Sequence, residues 1–182
     1  MVPGWQGSST DHWQSLWLAR LPRAEQLIMD NWQVPRRHVW IEALSRQILD
    51  LDKPVVVVAH SLGCLALSHL PSSAAMRIAG ALMVAPIDPE KRALFSDFGP
   101  VPAHRLPYRS IVVASTSDPC CSVRLSAAYA RAWASELVRI PNAGHINVAS
   151  GHGPWPLGWA LLQSLLESAS FDSSLSPSLQ AA

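Results

Sequence analysis

With 182 residues, 49% of them hydrophobic and 15% charged, the chain can bury one substantial core and is too short for two comfortable domains. Its 14 basic and 13 acidic residues give a net charge of +1 with no block of like charge, which argues against nucleic acid or an anionic membrane as a partner. The first four residues lack a leader pattern, and no apolar run approaches the roughly 18 to 20 residues of a membrane span. We therefore expect one domain over residues 1–169, in the cytoplasm.

Strand and helix patterns alternate along the chain. The predicted strands cover residues 25–30, 54–59, 79–85, 110–115 and 136–140. The predicted helices cover residues 10–20 behind Ser9 or Thr10 as a cap, residues 36–49, a segment after Ser61 that Pro71 stops, a segment capped by Ser122, and a segment with a stripe of Trp155, Trp159, Leu162 and Leu166. This alternation predicts a mostly parallel sheet in a three-layer α/β/α sandwich. Residues 170–182 are rich in serine and poor in apolar residues, so we expect a flexible tail there.

The segment VVVVAHSLGCLALSHL, residues 55–70, predicts a buried strand, a sharp turn and a buried helix. Four consecutive β-branched residues suit a strand that is covered on both faces. At the turn, AHSLG follows the G-x-S-x-G pattern of a nucleophile elbow, with Ala59 in place of the first glycine. The five-residue string alone is weak evidence, but its place between strand and helix is the context that the motif requires. We predict that Ser61 is a nucleophile.

A serine nucleophile needs a base and a group that orients the base. Ligands of parallel sheets bind beyond the carboxyl ends of the strands. Asp118 follows the strand at 110–115, and His145 follows the strand at 136–140. The resulting order Ser, Asp, His is that of the α/β-hydrolase arrangement. Asp88 is the alternative acid, and His152 is the second histidine near the same strand end.

The remaining histidines are expected to have no catalytic role, and the sequence leaves the role of Cys120 and Cys121 open. His60 is adjacent to Ser61 on a strand end, so its side chain is expected to project to the opposite face. Surface or helix-packing positions are expected for His12, His38, His69 and His104. Free thiols without metal-ligand spacing to a histidine are expected for Cys64, Cys120 and Cys121. No metal or organic cofactor is expected.

Acyl transfer also needs two hydrogen-bond donors for the developing oxyanion. One is the backbone N–H that follows the nucleophile, which belongs to Leu62. The second is expected from the opening VPGWQGSSTDHW, where we assign it to the N–H of Trp5; a flexible glycine turn is the alternative. Gly4 and Trp155 are assigned to substrate binding.

Five segments carry a resemblance to a known family: VPGWQGSSTDHWQSLW, AHSLGC, VAPID, ASTSDP and AGHINVASGHGPWP. Together they resemble the small serine hydrolases related to retinoblastoma-binding protein nine and the bacterial YdeN-like proteins, within the α/β-hydrolase superfamily. The resemblance covers nearly the whole chain and implies a compact, capless fold, esterase-like activity, and a triad of Ser61, Asp118 and His145. It also implies a full strand before the Pro-Gly turn, where this chain has two residues.

The sequence thus predicts a serine hydrolase of carboxylic esters, with amides and thioesters as alternative substrates, that acts through an acyl-enzyme on Ser61. Two alternatives remain: a catalytically weak protein-binding module on a hydrolase scaffold, and an acyltransferase. Residues 86–109 are too few for a multi-helix cap in addition to a crossover. We therefore expect an open, shallow site for a small ester or amide.

Overall fold

The centre of the molecule is a four-stranded parallel sheet. The structure, a computed structural model, describes residues 1–175, with side chains as far as residue 169. The strands lie in the order β1-β2-β3-β4 and span Val55–His60 (β1), Ile78–Val84 (β2), Ser110–Ser115 (β3) and Glu136–Ile140 (β4). The helices are Trp13–Leu18 (α1), Arg37–Leu49 (α2), Leu62–Ser68 (α3), Ser72–Ala75 (α4), Val123–Trp133 (α5) and Pro156–Leu175 (α6).

Both faces of the sheet are covered by helices. Alternate strand residues point to opposite faces, so each strand contributes to two cores. One core joins the sheet to α2, α3 and α5 through residues such as Trp40, Leu65 and Trp133. The other joins it to α1 and α6 through residues such as Trp13 and Leu162. The predicted three-layer α/β/α sandwich is confirmed.

Four of the five predicted strands are confirmed to within one residue, and the fifth is wrong. Residues 25–30 run beside the start of the chain without forming a strand. Leu27 N–H donates to the Met1 carbonyl at 2.8 Å, and Val2 makes a single parallel bridge with Ala59. A ladder needs several paired residues in succession, and the residues that lie between 25–30 and β1 make one bridge.

Helix ends follow the local hydrogen-bonding groups. The predicted cap at Ser9 or Thr10 is wrong, because α1 begins later and His12 Nδ1 accepts the N–H of Gln14 at 3.2 Å. The predicted cap at Ser122 is confirmed. Helix α6 continues over residues 170–175, while the rest of the predicted tail, 176–182, lies outside the described residues. Among the helices of residues 1–175, none combines the length and the hydropathy needed to traverse a bilayer.

The connection between β2 and β3 leaves the carboxyl edge of the sheet open. Within residues 86–109 the structure has only two short 3-10 helices, Pro89–Lys91 and Ala93–Phe98. No multi-helix cap is therefore inserted between these two strands, as the length of the segment predicts.

Candidate active site

Ser61 occupies a sharp turn between β1 and α3. Its backbone has φ +57° and ψ −123°, and its N–H donates to the Val84 carbonyl of β2 at 2.9 Å. Gly63 allows α3 to approach the start of the chain, because a Cβ there would lie 2.5 Å from the Val2 carbonyl oxygen. Ala59, at the other small position, is fully buried. The turn therefore has the strand, close packing and helix that a nucleophile elbow requires.

Three side chains that follow different strands form a continuous hydrogen-bonded series. His145 Nε2 lies 2.9 Å from Ser61 Oγ. His145 Nδ1 lies 3.0 Å and 2.9 Å from the two carboxylate oxygens of Asp118. The side chains of His145 and Asp118 are 14% and 3% exposed, respectively. An ionised carboxylate can only accept hydrogen bonds, so a neutral imidazole has its proton on Nδ1, which donates to Asp118, and accepts the serine O–H at Nε2.

Hydroxyl side chains at the end of β3 and in the loop after it hold the loop that carries His145, a contact that the sequence analysis missed. Each hydroxyl accepts one backbone N–H of the loop: Ser115 from Ala143 at 3.0 Å, Thr116 from Asn142 at 3.0 Å, and Ser117 from Gly144 at 3.1 Å. These three residues directly precede Asp118, so one segment positions both Asp118 and the loop of His145. The signal in the sequence was the run of hydroxyl residues before the aspartate.

Two further histidines lie beside His145. His60 Nε2–H donates to the backbone carbonyl of His145 at 3.0 Å, and the ring of His12 lies 4.9 Å from that of His60. Each of these two residues is 5% exposed. His12 packs at the start of α1, one of the two kinds of position expected for it, and it also lines the cavity in front of Ser61. His60 contacts the backbone of His145 and makes no hydrogen bond to Ser61 among the described residues.

The pKa values of the three histidines are shifted in different directions: those of His12 and His60 are lowered, and that of His145 is raised. Burial, with a smaller effect of charge on His145, lowers the pKa of His12 to about 4. Burial also holds the pKa of His60 well below 6.5. Burial opposes protonation of His145 too, but hydrogen bonding and charge from Asp118, together with Cys120, outweigh it and raise the pKa of His145 to about 9. A positive charge is therefore stabilised at His145, next to the serine.

A cavity of about 430 Å³ lies in front of Ser61, and its walls include Gly4, Trp5 and Phe95. Gly4 lies directly against the serine, since a Cβ there would be 2.8 Å from Ser61 Cβ. In the part of the chain that the structure describes, the backbone N–H groups of Trp5 and Leu62 have no hydrogen-bond acceptor. A larger cavity of about 850 Å³ lies elsewhere, and its described lining contains no serine, cysteine or histidine.

The chain is similar to known proteins over most of its length. The serine hydrolase family matches residues 1–164. The chain belongs to this family. A protein described as a YdeN-like hydrolase from Pectobacterium atrosepticum is 34% identical, with a TM-score of 0.80 over 97% of this chain and 92% of that chain. The ydeN gene product of B. subtilis is 25% identical, with a TM-score of 0.74 over 91% of this chain and 96% of that chain.

The same fold occurs in Est1E from Butyrivibrio proteoclasticus, which is 15% identical, with a TM-score of 0.64 over 93% of this chain and 86% of that chain. No curated protein matches the chain significantly. The chain is thus a YdeN-like serine hydrolase with the α/β-hydrolase fold. The family resemblance seen in the sequence is confirmed.

One predicted substrate contact of this serine hydrolase is wrong. Trp155 is 5% exposed and does not line the cavity in front of Ser61. Its ring lies 5.3 Å from that of Trp13 and is stacked on Trp17 at 5.9 Å. The aromatic cluster between α1 and α6 therefore draws this indole into the core and away from the substrate side.

Asp88 and His152, the alternative candidates from the sequence for the acid and the base, make hydrogen bonds to other groups. Asp88 caps a 3-10 helix by accepting the N–H of Glu90 at 3.0 Å. His152 Nδ1–H donates to the Ser150 carbonyl at 3.0 Å. Neither side chain reaches Ser61 by a hydrogen bond among the described residues.

Proposed function

We propose that this serine hydrolase cleaves small carboxylic esters through an acyl-enzyme on Ser61, with amides and thioesters as alternative substrates. One observation carries the proposal: Ser61 and His145 line an open cavity and form a hydrogen-bonded series with the buried Asp118 side chain. A serine hydroxyl becomes an effective nucleophile when an oriented base takes its proton.

In the proposed mechanism, Ser61 Oγ attacks the ester carbonyl while His145 Nε2 takes the hydroxyl proton. The imidazolium then gives this proton to the leaving alcohol, and water attacks the acyl-enzyme with His145 again as the base. Asp118 keeps the ring in the required tautomer and stabilises the imidazolium, in line with the raised pKa of His145. Hydroxyl contacts from Ser115 and its neighbours keep the His145 loop in place.

The oxyanion is proposed to bind the N–H groups of Leu62 and Trp5. Leu62 is the first residue of α3, where backbone donors lack partners within the helix. The close approach of Gly4 to Ser61 brings the Trp5 segment to the same side of the serine. Gly4 is thus proposed to shape the substrate site by having no side chain.

Hydrolysis is favoured over the two alternatives. An acyltransferase must keep water from the acyl-enzyme, and the open cavity has no multi-helix cap to do so. A module that only binds a protein has no need for a buried acid that orients a histidine on a serine. We therefore assign water as the acyl acceptor and a small molecule as the substrate.

A fluorophosphonate probe tests the nucleophile. We expect one labelled site, which disappears in Ser61→Ala together with turnover of p-nitrophenyl acetate. Ser73→Ala, which alters an exposed serine of α4, serves as the matched control and should be labelled normally. Labelling that persists in a folded Ser61→Ala protein would refute the assignment.

A second pair of variants tests the acid. Asp118→Asn is expected to lower kcat by about 10⁴-fold, because an amide favours the wrong imidazole tautomer. Asp88→Asn is expected to retain most of the turnover. The opposite result would show that Asp88 is the acid.

A further inference from the structure

Cys120 lies beside the acid and the base of the site. Its Sγ, a carboxylate oxygen of Asp118 and a ring nitrogen of His145 all lie within 4.8 Å of one another. The backbone N–H of Cys120 donates to Asp118 Oδ1 at 2.7 Å, which fixes the cysteine next to the carboxylate. The residue is partly exposed and lines the cavity in front of Ser61, so a solute can reach the thiol.

These three side chains are a zinc ligand set. Zn²⁺ binds thiolate, imidazole and carboxylate at about 2.0 to 2.3 Å, usually in a tetrahedron. Such bonds place the donor atoms roughly 3.3 to 3.8 Å apart, so rotamer shifts of about 1 Å are enough to close the cluster. A soft thiolate selects Zn²⁺ over Mg²⁺ and Ca²⁺. Three protein ligands leave a fourth position for water on the cavity side.

We propose that Asp118, Cys120 and His145 form an inhibitory Zn²⁺ site. On binding, the thiol proton of Cys120 leaves to solvent, and the metal accepts a lone pair from His145. If the metal takes Nδ1, that nitrogen gives up its proton and the neutral ring carries its one proton on Nε2, so the bond that orients the imidazole on Asp118 is lost and Nε2 cannot accept the Ser61 proton. If it takes Nε2, it occupies the atom that must accept the Ser61 proton. Either arrangement stops acyl transfer.

The neighbouring cysteine provides a matched control. Cys121 is fully buried, and its Sγ accepts the hydroxyl of Ser126 at 3.3 Å. It carries the same thiol one residue along the chain and is absent from the donor cluster. Cys121→Ser therefore tests for effects of removing any thiol from this loop.

Metal binding is measured first, without reference to catalysis. Zn²⁺ is titrated calorimetrically into the metal-free full chain, with circular dichroism to check each variant. We expect one site in the wild type and in Cys121→Ser, and a Zn²⁺ affinity at least about tenfold weaker in Cys120→Ser. Mutation of a residue that only contacts a metal ligand already weakens binding by about tenfold or more, and loss of a ligand itself should cost at least as much. With Co²⁺ as the probe, the thiolate charge-transfer absorption should be absent only in Cys120→Ser. No binding by the wild type, or equal affinity in Cys120→Ser, overturns the proposal.

Inhibition is measured second and rests on the proposed function. Each protein is assayed with p-nitrophenyl acetate and normalised to its own zinc-free rate, and EDTA should restore that rate. We expect Zn²⁺ to inhibit the wild type and Cys121→Ser at concentrations at least about tenfold lower than those for Cys120→Ser. Zinc that binds through Cys120 without lowering turnover overturns the inhibitory role. A folded wild type without turnover contradicts the proposed function instead, and the titration still decides the metal site.

Discussion

Replacing Gly4 by alanine tests the contact between the opening loop and Ser61. A Cβ at residue 4 would lie 2.8 Å from Ser61 Cβ and 3.2 Å from Ser61 Oγ. Favourable carbon contacts are about 3.5 to 4.0 Å long, so loop and serine must separate by about 0.7 Å or more. The hydroxyl now lies 2.9 Å from His145 Nε2, within the range for proton transfer. Gly4→Ala therefore moves either the serine or the loop that carries the proposed Trp5 donor.

The expected loss in kcat/KM is about 30- to 100-fold, since a misplacement of about 1 Å can cost about 10² in rate. Overpacking should also lower the free energy of unfolding by about 1 to 3 kcal/mol. Turnover of p-nitrophenyl acetate and the rate of fluorophosphonate labelling measure the first effect, and urea unfolding measures the second. The enzyme should remain folded at 25 °C with its nucleophile misaligned.

Gly153→Ala is the matched control for this experiment. A Cβ at Gly153 would make an ordinary contact, at 3.4 Å from the Asp11 carbonyl oxygen. We expect turnover within about twofold of wild type, as for a surface change of about 0.5 kcal/mol. A folded Gly4→Ala enzyme with wild-type turnover would refute the placement of the loop against Ser61. An equal loss in both variants would show that the effect is not specific to this contact.

Three other outcomes are expected from the same site. His145→Ala should remove nearly all turnover while His152→Ala retains most of it; a folded His152→Ala enzyme as inactive as Ser61→Ala would reverse the assignment. Because Asp118 and Cys120 outweigh the effect of burial and raise the pKa of His145 to about 9, kcat/KM should rise with pH as the imidazole loses its proton, with an inflection near 9; an inflection at or below 6.5 would contradict this. The open cavity should favour short acyl chains, and a steady rise in kcat/KM from acetyl to palmitoyl esters would count against it.

The strands and their order could be predicted because burial on both faces leaves a clear pattern. Four consecutive valines in β1 are what a doubly covered strand needs, and the residues that follow parallel strands meet at one edge of the sheet. Residues 25–30 have a strand-like composition as well. Whether such a segment joins the sheet depends on the pairing of the chain beside it. Here the neighbouring chain at Val2 makes a single bridge to β1 instead of a ladder.

The errors within the site have a common physical origin. An apolar or aromatic side chain near an active site packs into the core or lines a cavity according to its neighbours in space. Trp155 lies against two other indoles and is therefore buried, whereas His12 lines the cavity as the cap of a short helix. The thiol of Cys120 meets a histidine 25 positions later in the chain, so no local spacing could indicate their proximity.

The backbone of Ser61 has a consequence for how this sequence responds to selection. A residue with a side chain at φ +57° and ψ −123° lies in a sparsely populated region, which costs about 1 to 3 kcal/mol. Glycine adopts such angles without this cost, so Ser61→Gly should unfold at higher urea concentration than the wild type while having no nucleophile. A screen for thermostability that does not measure turnover would therefore enrich Ser61→Gly, although this variant lacks the proposed nucleophile.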